Sequence, residues 1–326
     1  MSNMKNHSML SKLRQQRRPI ASMLAALIAL WQVGQPILAA DVNWNAGSGS
    51  NFNWFEGANW SAGIPGLADN AILPFTIPNP GVLANPGVIV LDSSSTANLV
   101  SFSNNYTLTG GTLTLGAGGL RADMGTGSII NSVVAGSAGL TKTGGGFIRL
   151  SNANTYTGVT TINNGSLIIT HQNALGVDSS PVVVTSISPS GNGIVTGIGL
   201  RGFGGGSLVL DGTGGSIVFS RDLSLQGLGP ISDRGAALIS LGENTLSGTV
   251  TMGTPYNGTN IATRIIAANG TLNFTGTLNV LGTAATTLNN LGGILQAGAS
   301  FYNVTGVPAG SGTLEARGGG TLFLNP

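Results

Sequence analysis

Residues 139–170 read GLTKTGGGFIRLSNANTYTGVTTINNGSLIIT, and this stretch decides the fold. In Phe147–Leu150 and in Ser166–Thr170, aliphatic side chains occupy alternate positions. That alternation has the strand period of two, not the helical period of 3.6. Between these segments stand glycines and asparagines, which tolerate the positive φ that a tight corner requires. The stretch therefore predicts short strands joined by tight corners.

The order of residues in this stretch resembles the autotransporter-associated β-strand repeat of bacterial passenger domains. That repeat runs Leu-x-Lys-x-Gly-x-Gly, a strand, Ser-x-Ala-Asn-x-Tyr-x-Gly, a Thr-rich strand, a glycine corner and another strand. The matching positions are Leu140, Lys142, Gly144, Gly146, Leu150, Ser151, Asn154, Tyr156, Gly158, Thr160, Thr161, Gly165 and Leu167. The resemblance implies an all-β, right-handed parallel β-helix, secreted or held at the outer surface of a Gram-negative bacterium. It implies no particular chemistry.

Composition agrees with an exported all-β chain. Charged residues make up only 7% of the sequence and hydrophobic residues 41%, which is the reverse of the balance that disorder requires. The chain has no cysteine, which excludes disulfides, thiolate metal sites and cysteine nucleophiles.

The first forty residues have the order of a secretory signal peptide. Five basic residues precede an apolar run from Ile20 to Trp31, and the small pair Ala39–Ala40 comes after it. We predict cleavage after Ala40 and engagement of the translocation machinery by residues 1–40. An uncleaved membrane anchor is the alternative, but polar residues and Pro36 interrupt the run before it reaches spanning length.

The net charge of the mature chain also limits the partners to be expected. Removing the five leader residues from thirteen basic ones leaves eight, against eleven acidic residues, so the mature chain carries about −3. A nucleic-acid partner would require a basic surface, so none is expected. No second apolar stretch approaches membrane length, and no membrane span is expected in the mature chain.

Residues 41–99 differ in composition from the later part of the chain, because Trp44, Trp54 and Trp60 alternate there with asparagines. One interpretation is an N-terminal cap that covers the open edge and core of the first coil. The other is a glycan-binding platform made by the three tryptophans, since aromatic faces and amides suit sugar rings.

From residue 100 to 326 the strand pattern recurs, as at Leu208 and Leu210, with glycine-rich corners between strands. The pattern alone fits a sandwich, a barrel or a solenoid; the resemblance selects the solenoid. Segments 173–192 and 227–237 are richer in turn residues and are expected to protrude. Leu314–Leu324 parallels Leu140–Leu150 position by position, which predicts a second repeat and a repeat region truncated at its C-terminus.

Candidate chemistry is sparse. His171 is the one histidine after the leader, and we interpret it as an edge residue that ends a strand. A polysaccharide-active β-helix enzyme would need grouped carboxylates, as paired acid and base or as calcium ligands. The candidates are Asp211, Asp222, Asp233 and Glu243, with Arg221 and Arg234 beside two of them. The simpler interpretation pairs each arginine with its neighbouring aspartate in a corner.

We therefore predict an exported adhesin-like β-helical scaffold and no enzyme, with no catalytic, cofactor-binding or metal-binding residue assigned. Its expected partners are host or matrix surfaces or glycans. The alternatives are the polysaccharide-active enzyme and a glycan-binding module centred on the tryptophans.

Overall fold

A computed structural model describes residues 39–49, 51–75, 87–185, 205–227, 229–230, 236–252 and 263–280, together with the backbone of strands at 286–290, 294–297, 314–318 and 322–324. Within these residues the regular structure is 24 strands and one turn of 3-10 helix at Gly57–Asn59. The strands are β1 (Ala40–Asn43), β2 (Asp69–Leu73), β3 (Val88–Val90), β4 (Ser94–Phe102), β5 (Thr107–Thr109), β6 (Thr112–Ala122), β7 (Gly127–Ile130), β8 (Val133–Ala135), β9 (Leu140–Thr143), β10 (Phe147–Leu150), β11 (Thr160–Ile162), β12 (Gly165–Ile169), β13 (Val182–Val184), β14 (Gly206–Phe219), β15 (Leu223–Leu225), β16 (Leu238–Leu246), β17 (Val250–Met252), β18 (Thr263–Asn269), β19 (Thr271–Phe274), β20 (Leu278–Val280), β21 (Thr286–Asn290), β22 (Ile294–Ala297), β23 (Leu314–Gly318) and β24 (Leu322–Leu324).

The strands form two sheets, and along the chain they alternate between these sheets from β2 to β8 and again from β9 to β18. The 11-stranded sheet has the order β1-β2-β4-β6-β9-β11-β13-β15-β17-β20, with β8 beside β6. The 13-stranded sheet runs β23-β21-β18-β16-β14-β12-β10-β7-β5-β3; in addition β19 pairs with β16 and with β22, and β22 pairs with β24. Every pairing between these strands is parallel, for example β9 with β11 and β10 with β12. The chain therefore returns to each sheet once per coil, and the predicted all-β parallel solenoid is confirmed.

Strand register stacks the inward side chains into columns. One column of the 11-stranded sheet contains Val42, Ala71, Val100, Leu120, Lys142, Ile162, Val184, Leu225 and Met252. In the 13-stranded sheet, a second column contains Ile89, Leu108, Ile130, Leu150, Ile169, Leu210, Ser240 and Ala267. All of these side chains are buried. A single coil cannot bury such a row by itself, so its stability depends on neighbouring coils.

The first coil is closed by the chain itself. Residues 51–61 cross the start of both sheets and bond to their first strands: the Trp54 N–H donates to Val90 O at 2.9 Å, and the Ser61 N–H donates to Asn43 O at 2.8 Å. Such cover removes part of an open strand edge. Because β1 and β2 already belong to the 11-stranded sheet, the parallel stack begins at Ala40, the last residue of the predicted signal peptide, and continues through the region 41–99 that is interpreted as a cap.

The first strand of the predicted second repeat at Leu314–Leu324 does not occupy the place of its counterpart in Leu140–Leu150, whereas its second strand, β24, lies in the same 13-stranded sheet as β10. Strand β9 lies in the 11-stranded sheet, whereas β23 lies in the 13-stranded sheet beside β21. The physical reason is that a leucine-led strand before a glycine corner occurs in both sheets, as at Leu140 and Leu314. The distinguishing residue of the first segment is Lys142, and Ala316 stands at the corresponding position of the second.

Three other predictions fall partly beyond the described residues. Residues 1–38 of the predicted signal peptide lie outside them. So do 186–192 of the first predicted loop, and 228 and 231–235 of the second. In the part of the first loop that is described, Ala174 and Leu175 are buried rather than protruding.

Candidate functional site

The lysine of the repeat motif is buried, although it is charged. Lys142 occupies an inward position of β9, between Leu120 and Ile162 in the column, and is 0% exposed. Its ammonium Nζ donates to the carbonyl oxygens of Thr143, Gly144, Gly146 and Asn164 at 2.8–3.0 Å. Thr143 is the last residue of β9, Gly144 and Gly146 lie in the corner after it, and Asn164 lies in the corner of the next coil. The lysine therefore joins two successive corners from inside the core.

The glycines of the motif allow those corners to approach each other closely. Gly165 has φ +66°, and a Cβ there would lie 2.2 Å from the carbonyl oxygen of Gly146. Gly144 has φ +75°, and its Cβ would lie 2.1 Å from the carbonyl oxygen of Ala122 in the preceding coil. Since real Cβ atoms do not approach oxygens so closely, both positions require glycine for space as well as for conformation.

Asn154 links three coils. Its side-chain Oδ1 accepts from the Val134 N–H at 2.8 Å, and its Nδ2 donates to the Ala174 carbonyl at 2.6 Å. Val134 precedes it by one coil and Ala174 lies one coil later. The side chain is buried, so it satisfies backbone groups that water cannot reach.

Tyr156 and Gly158 complete the same corner. The Tyr156 hydroxyl shares a hydrogen bond of 2.8 Å with Thr160 Oγ1 inside the core, and burial raises the pKa of this phenol well above its ordinary value. Gly158 has φ +97°, and its N–H donates to Asp178 Oδ2 of the next coil at 2.6 Å. The remaining motif residues Leu140 and Leu150 are core residues. The side chains of Leu140, Lys142, Leu150, Asn154 and Tyr156 are thus all directed to the core or to hydrogen bonds between and within coils.

The three tryptophans of the cap form one buried cluster. Trp44, Trp54 and Trp60 are 1%, 0% and 3% exposed. The ring of Trp60 meets those of Trp44 and Trp54 edge-on, with centroid distances of 5.0 and 4.8 Å, and its Nε1 donates to the Trp54 carbonyl at 2.8 Å. This arrangement covers the end of the core. The glycan platform stays a prediction, and it would require these rings to be uncovered first.

The carboxylates considered for catalysis are dispersed. Asp211 is buried and forms an ion pair with Arg149 at 3.0 Å. Asp222 is exposed and accepts from the Thr249 N–H at 2.8 Å, while Glu243 is exposed. Asp233 and Arg234 lie outside the described residues. Within the described part of the chain, no three His, Asp or Glu side chains come together in a way that could hold a metal ion.

The expected pairing of Arg221 with Asp222 is wrong. Arg221 pairs instead with Asp178, with 2.5 Å between Nη2 and Oδ1. Its Nε also donates to the Asp178 carbonyl at 2.9 Å, and its Nη1 donates to the Leu175 carbonyl. Arg221 and Asp222 are adjacent in the chain, so their side chains point apart. The coil instead brings the corner at 172–178 against the corner at 219–221. No sequence signal connects residues so far apart along the chain.

A cleft of about 220 Å³ lies between these two corners. Its lining consists of Gln172, Asn173, Leu175, Gly176, Val177, Asp178, Phe219, Ser220 and Arg221. The Gly158 N–H, together with hydrogen bonds from Ser180 and the charge of Arg221, lowers the pKa of Asp178 below its ordinary value. The carboxylate and the guanidinium therefore face the cleft as a compensated pair.

His171 lies two residues beyond the end of β12, close to the predicted strand end, and is partly exposed. Its Nδ1 accepts from the Asn173 N–H at 3.0 Å. This bond stabilises the turn at the edge of the cleft. The imidazole takes no part in the ion pair between Asp178 and Arg221.

Stacked parallel coils whose motif residues bond from one coil to the next define a β-solenoid repeat protein. Residues 140–169 match the family described as the passenger-associated-transport-repeat. This match confirms the resemblance noted in the sequence: the chain carries an autotransporter passenger repeat.

The chain is also similar to a curated relative, the adhesin BmaC autotransporter of Brucella suis biovar 1 (strain 1330). The two are 28% identical over 327 residues, which cover 87% of this chain and 9% of the relative. The chain thus spans about a tenth of the length of that relative. No solved structure matches the chain.

Together the two comparisons support secretion to, or display at, the surface of a Gram-negative bacterium. Among the described residues there is no helix of the length and apolarity needed to cross a membrane.

Proposed function

We propose that this chain is part of an adhesin-like passenger scaffold, without catalytic activity, that presents a polar surface outside the cell. Residues 1–40 direct its export, residues 41–99 close the first coils, and residues 100–326 continue the stack. The observation that carries the proposal is the use of the motif side chains. Lys142, Asn154 and Tyr156, the polar groups that define the repeat, are all buried and bonded within the stack.

The outward face of the 11-stranded sheet supports a role in surface contact. One outward column of this sheet contains Thr141, Thr161, Val183, Ser224, Thr251 and Asn279. Hydroxyl and amide groups repeated in register form a largely uncharged, hydrogen-bonding surface. Such a surface suits contact with glycans or matrix proteins rather than with a single small molecule.

The name of the relative also supports an adhesive role. The protein that shares 28% identity is called an adhesin, and this chain corresponds to a short part of it. We infer an adhesive role for the longer passenger to which coils of this kind contribute.

The test is adhesion by display. The full chain, placed in the passenger of an autotransporter on non-adherent bacteria, is expected to increase their attachment to epithelial cells and to immobilised matrix. The matched control displays a passenger of equal length without these coils. Equal attachment by the two strains, at equal surface amounts, would contradict the adhesive role.

A second assay addresses the enzyme alternative. The purified chain is incubated with a panel of polysaccharides, with and without calcium, and the products are analysed for new reducing ends. We expect none above background. Turnover that Asp211→Asn or Asp222→Asn abolishes would replace the scaffold with a polysaccharide-active enzyme.

A further inference from the structure

The cleft between the corners at 172–178 and 219–221 has a rigid floor. The Arg221 side chain is 9% exposed and spans from its own corner to three acceptors, the Leu175 carbonyl, the Asp178 carbonyl and the Asp178 carboxylate. Asp178 is fixed in turn by the N–H of Gly158 and the hydroxyl of Ser180, at 2.6 and 2.8 Å. The walls of the cleft therefore do not have to be ordered when a ligand arrives, which lowers the cost of binding.

The rim of the cleft offers unused polar groups. Gln172, Asn173 and Ser220 are exposed, and within the described chain their side chains have no hydrogen-bond partner. Two amides and a hydroxyl can each donate and accept. Val177, which is 65% exposed, adds an apolar surface beside them. Donors and acceptors around an apolar patch complement a pyranose ring, whose edge carries hydroxyls and whose face carries C–H groups.

The charged groups that line the cleft determine whether it favours an acidic or a neutral sugar. The two ionised groups of the lining, the Arg221 guanidinium and the Asp178 carboxylate, lie 2.5 Å apart and cancel. A sulfated or sialylated glycan would therefore gain no net attraction from the cleft. It would also have to compete with Asp178 for the guanidinium. A neutral hexose or N-acetylhexosamine meets neither obstacle.

We propose that this cleft is a subsite for one neutral pyranose residue of a surface glycan. The amides of Gln172 and Asn173 and the Ser220 hydroxyl bind the ring hydroxyls, and Val177 contacts the apolar face. The inference rests on the proposed adhesive function and specifies the class of ligand. Its location differs from the tryptophan platform considered from the sequence.

The experiment uses the purified full chain on an array of oligosaccharides. One set of probes contains neutral hexose and N-acetylhexosamine oligosaccharides, and the other contains sialylated and sulfated ones. The test variant is Gln172→Ala with Asn173→Ala, which leaves the floor of the cleft intact. The matched control is Asn152→Ala in the corner one coil earlier, where the amide donates to the Asn131 carbonyl at 3.1 Å. A thermal unfolding curve for each variant reports whether the fold is retained.

We expect the wild type and Asn152→Ala to retain the same neutral glycans. The cleft variant should lose at least tenfold in affinity, with an unchanged unfolding temperature. Val177→Asp, which replaces the apolar wall by a charge, should lose binding as well. The subsite is overturned if no neutral glycan is retained, if only acidic glycans are retained, or if the cleft variant binds as the wild type does.

Display of the cleft variant on cells distinguishes the proposed glycan subsite from the broader proposal of an adhesive scaffold. If cells carrying the wild-type coils attach and cells carrying the cleft variant attach equally well, the scaffold is adhesive but the subsite is wrong. If the wild-type coils confer no attachment, the proposed adhesive function fails whatever the array shows.

Discussion

The ammonium of Lys142 lies 3.0 Å from the carbonyl oxygen of Asn164, one coil further along the stack. A charged side chain thus fills a place that leucine or isoleucine occupies in adjacent coils, and its charge is spread over backbone carbonyls. Buried charges are tolerated only with such bonding. The repeat motif therefore encodes a bond between coils as well as a corner.

Replacing Lys142 by methionine tests that bond. Met keeps the apolar stem but removes the ammonium that donates to the carbonyls of Thr143, Gly144, Gly146 and Asn164, so the free energy of unfolding should fall by about 2–4 kcal/mol. Urea unfolding followed by circular dichroism measures it. The control is Thr141→Val on the outward side of the same strand, which should change stability by about 0.5 kcal/mol or less. An unchanged midpoint for Lys142→Met would show that the lysine contributes nothing net.

Gly165→Ala should be more destabilising than Gly125→Ala. Both glycines have positive φ, +66° and +83°, but a Cβ at 165 meets two carbonyl oxygens within 2.5 Å, and a Cβ at 125 meets nothing within 4 Å. Gly125→Ala therefore reports backbone strain alone, about 1 kcal/mol. For Gly165→Ala we expect about 3 kcal/mol or more, since the coils must also separate. Similar losses in the two variants would show that the close approach of the corners is unimportant.

Asn154→Ala leaves the Val134 N–H and the Ala174 carbonyl without their side-chain partner in the interior. At about 1–3 kcal/mol for each unsatisfied buried group, the expected loss is about 2–4 kcal/mol. Asn152→Ala, two residues earlier and more exposed, should cost less than about 1 kcal/mol. Hydrogen exchange should speed up most at Val134, in the preceding coil. Exchange confined to residues next to 154 would contradict a role between coils.

Stability should fall in acid through Asp178. Its folded-state pKa lies below the ordinary value of 3.8 because of the Gly158 N–H, Ser180 and Arg221. The ionised form therefore stabilises the fold above that ordinary value. The contribution is lost as the pH drops through the folded-state pKa. Unfolding free energies measured between about pH 7 and pH 2 should decline less steeply at the acid end for Asp178→Asn. Ser179→Ala, its exposed neighbour, should behave as the wild type does.

The fluorescence emission of the tryptophan cluster should change when the chain unfolds and should not change when sugars are added. Trp60→Phe removes the bond from Nε1 to the Trp54 carbonyl and should cost about 1–2 kcal/mol. Emission of the native chain should be that of buried indoles and should not change when neutral oligosaccharides are titrated. A saturable change in emission that Trp60→Phe abolishes would favour the glycan platform instead.

The strands and corners were accessible from the sequence because they depend on local patterns. The alternation at Ile148 and Leu150, and at Leu167 and Ile169, places these four side chains in the core, where the structure has them. Tertiary pairings were not accessible in this way. Lys142 continues the same alternation after Leu140, but a lysine is ordinarily exposed, and only the corner carbonyls explain its inward position.

The unequal number of residues per coil explains why the other pairings could not be predicted from the sequence. Lys142 pairs with Ile162 after a short coil, whereas Val184 pairs with Leu225 after a coil about twice as long. Irregular coil length hides the period, so the sequence did not show that Arg221 faces Asp178. The likeness between the segments starting at Leu140 and Leu314 predicted equivalent positions, which the sheet assignments contradict for β9 and β23 but not for β10 and β24.

The closure of the first coil has a consequence for assembly. Parallel sheets recruit further strands wherever an unpaired edge is left, so stacked chains at high density are prone to join end to end. Here the segment from residue 51 to 61 bonds to Asn43 and Val90 and seals the core with indole rings. This cover leaves less free strand edge for the strands of a neighbouring molecule at this end. If the chain is displayed as proposed, we expect crowded copies not to join head to head through this end of the stack.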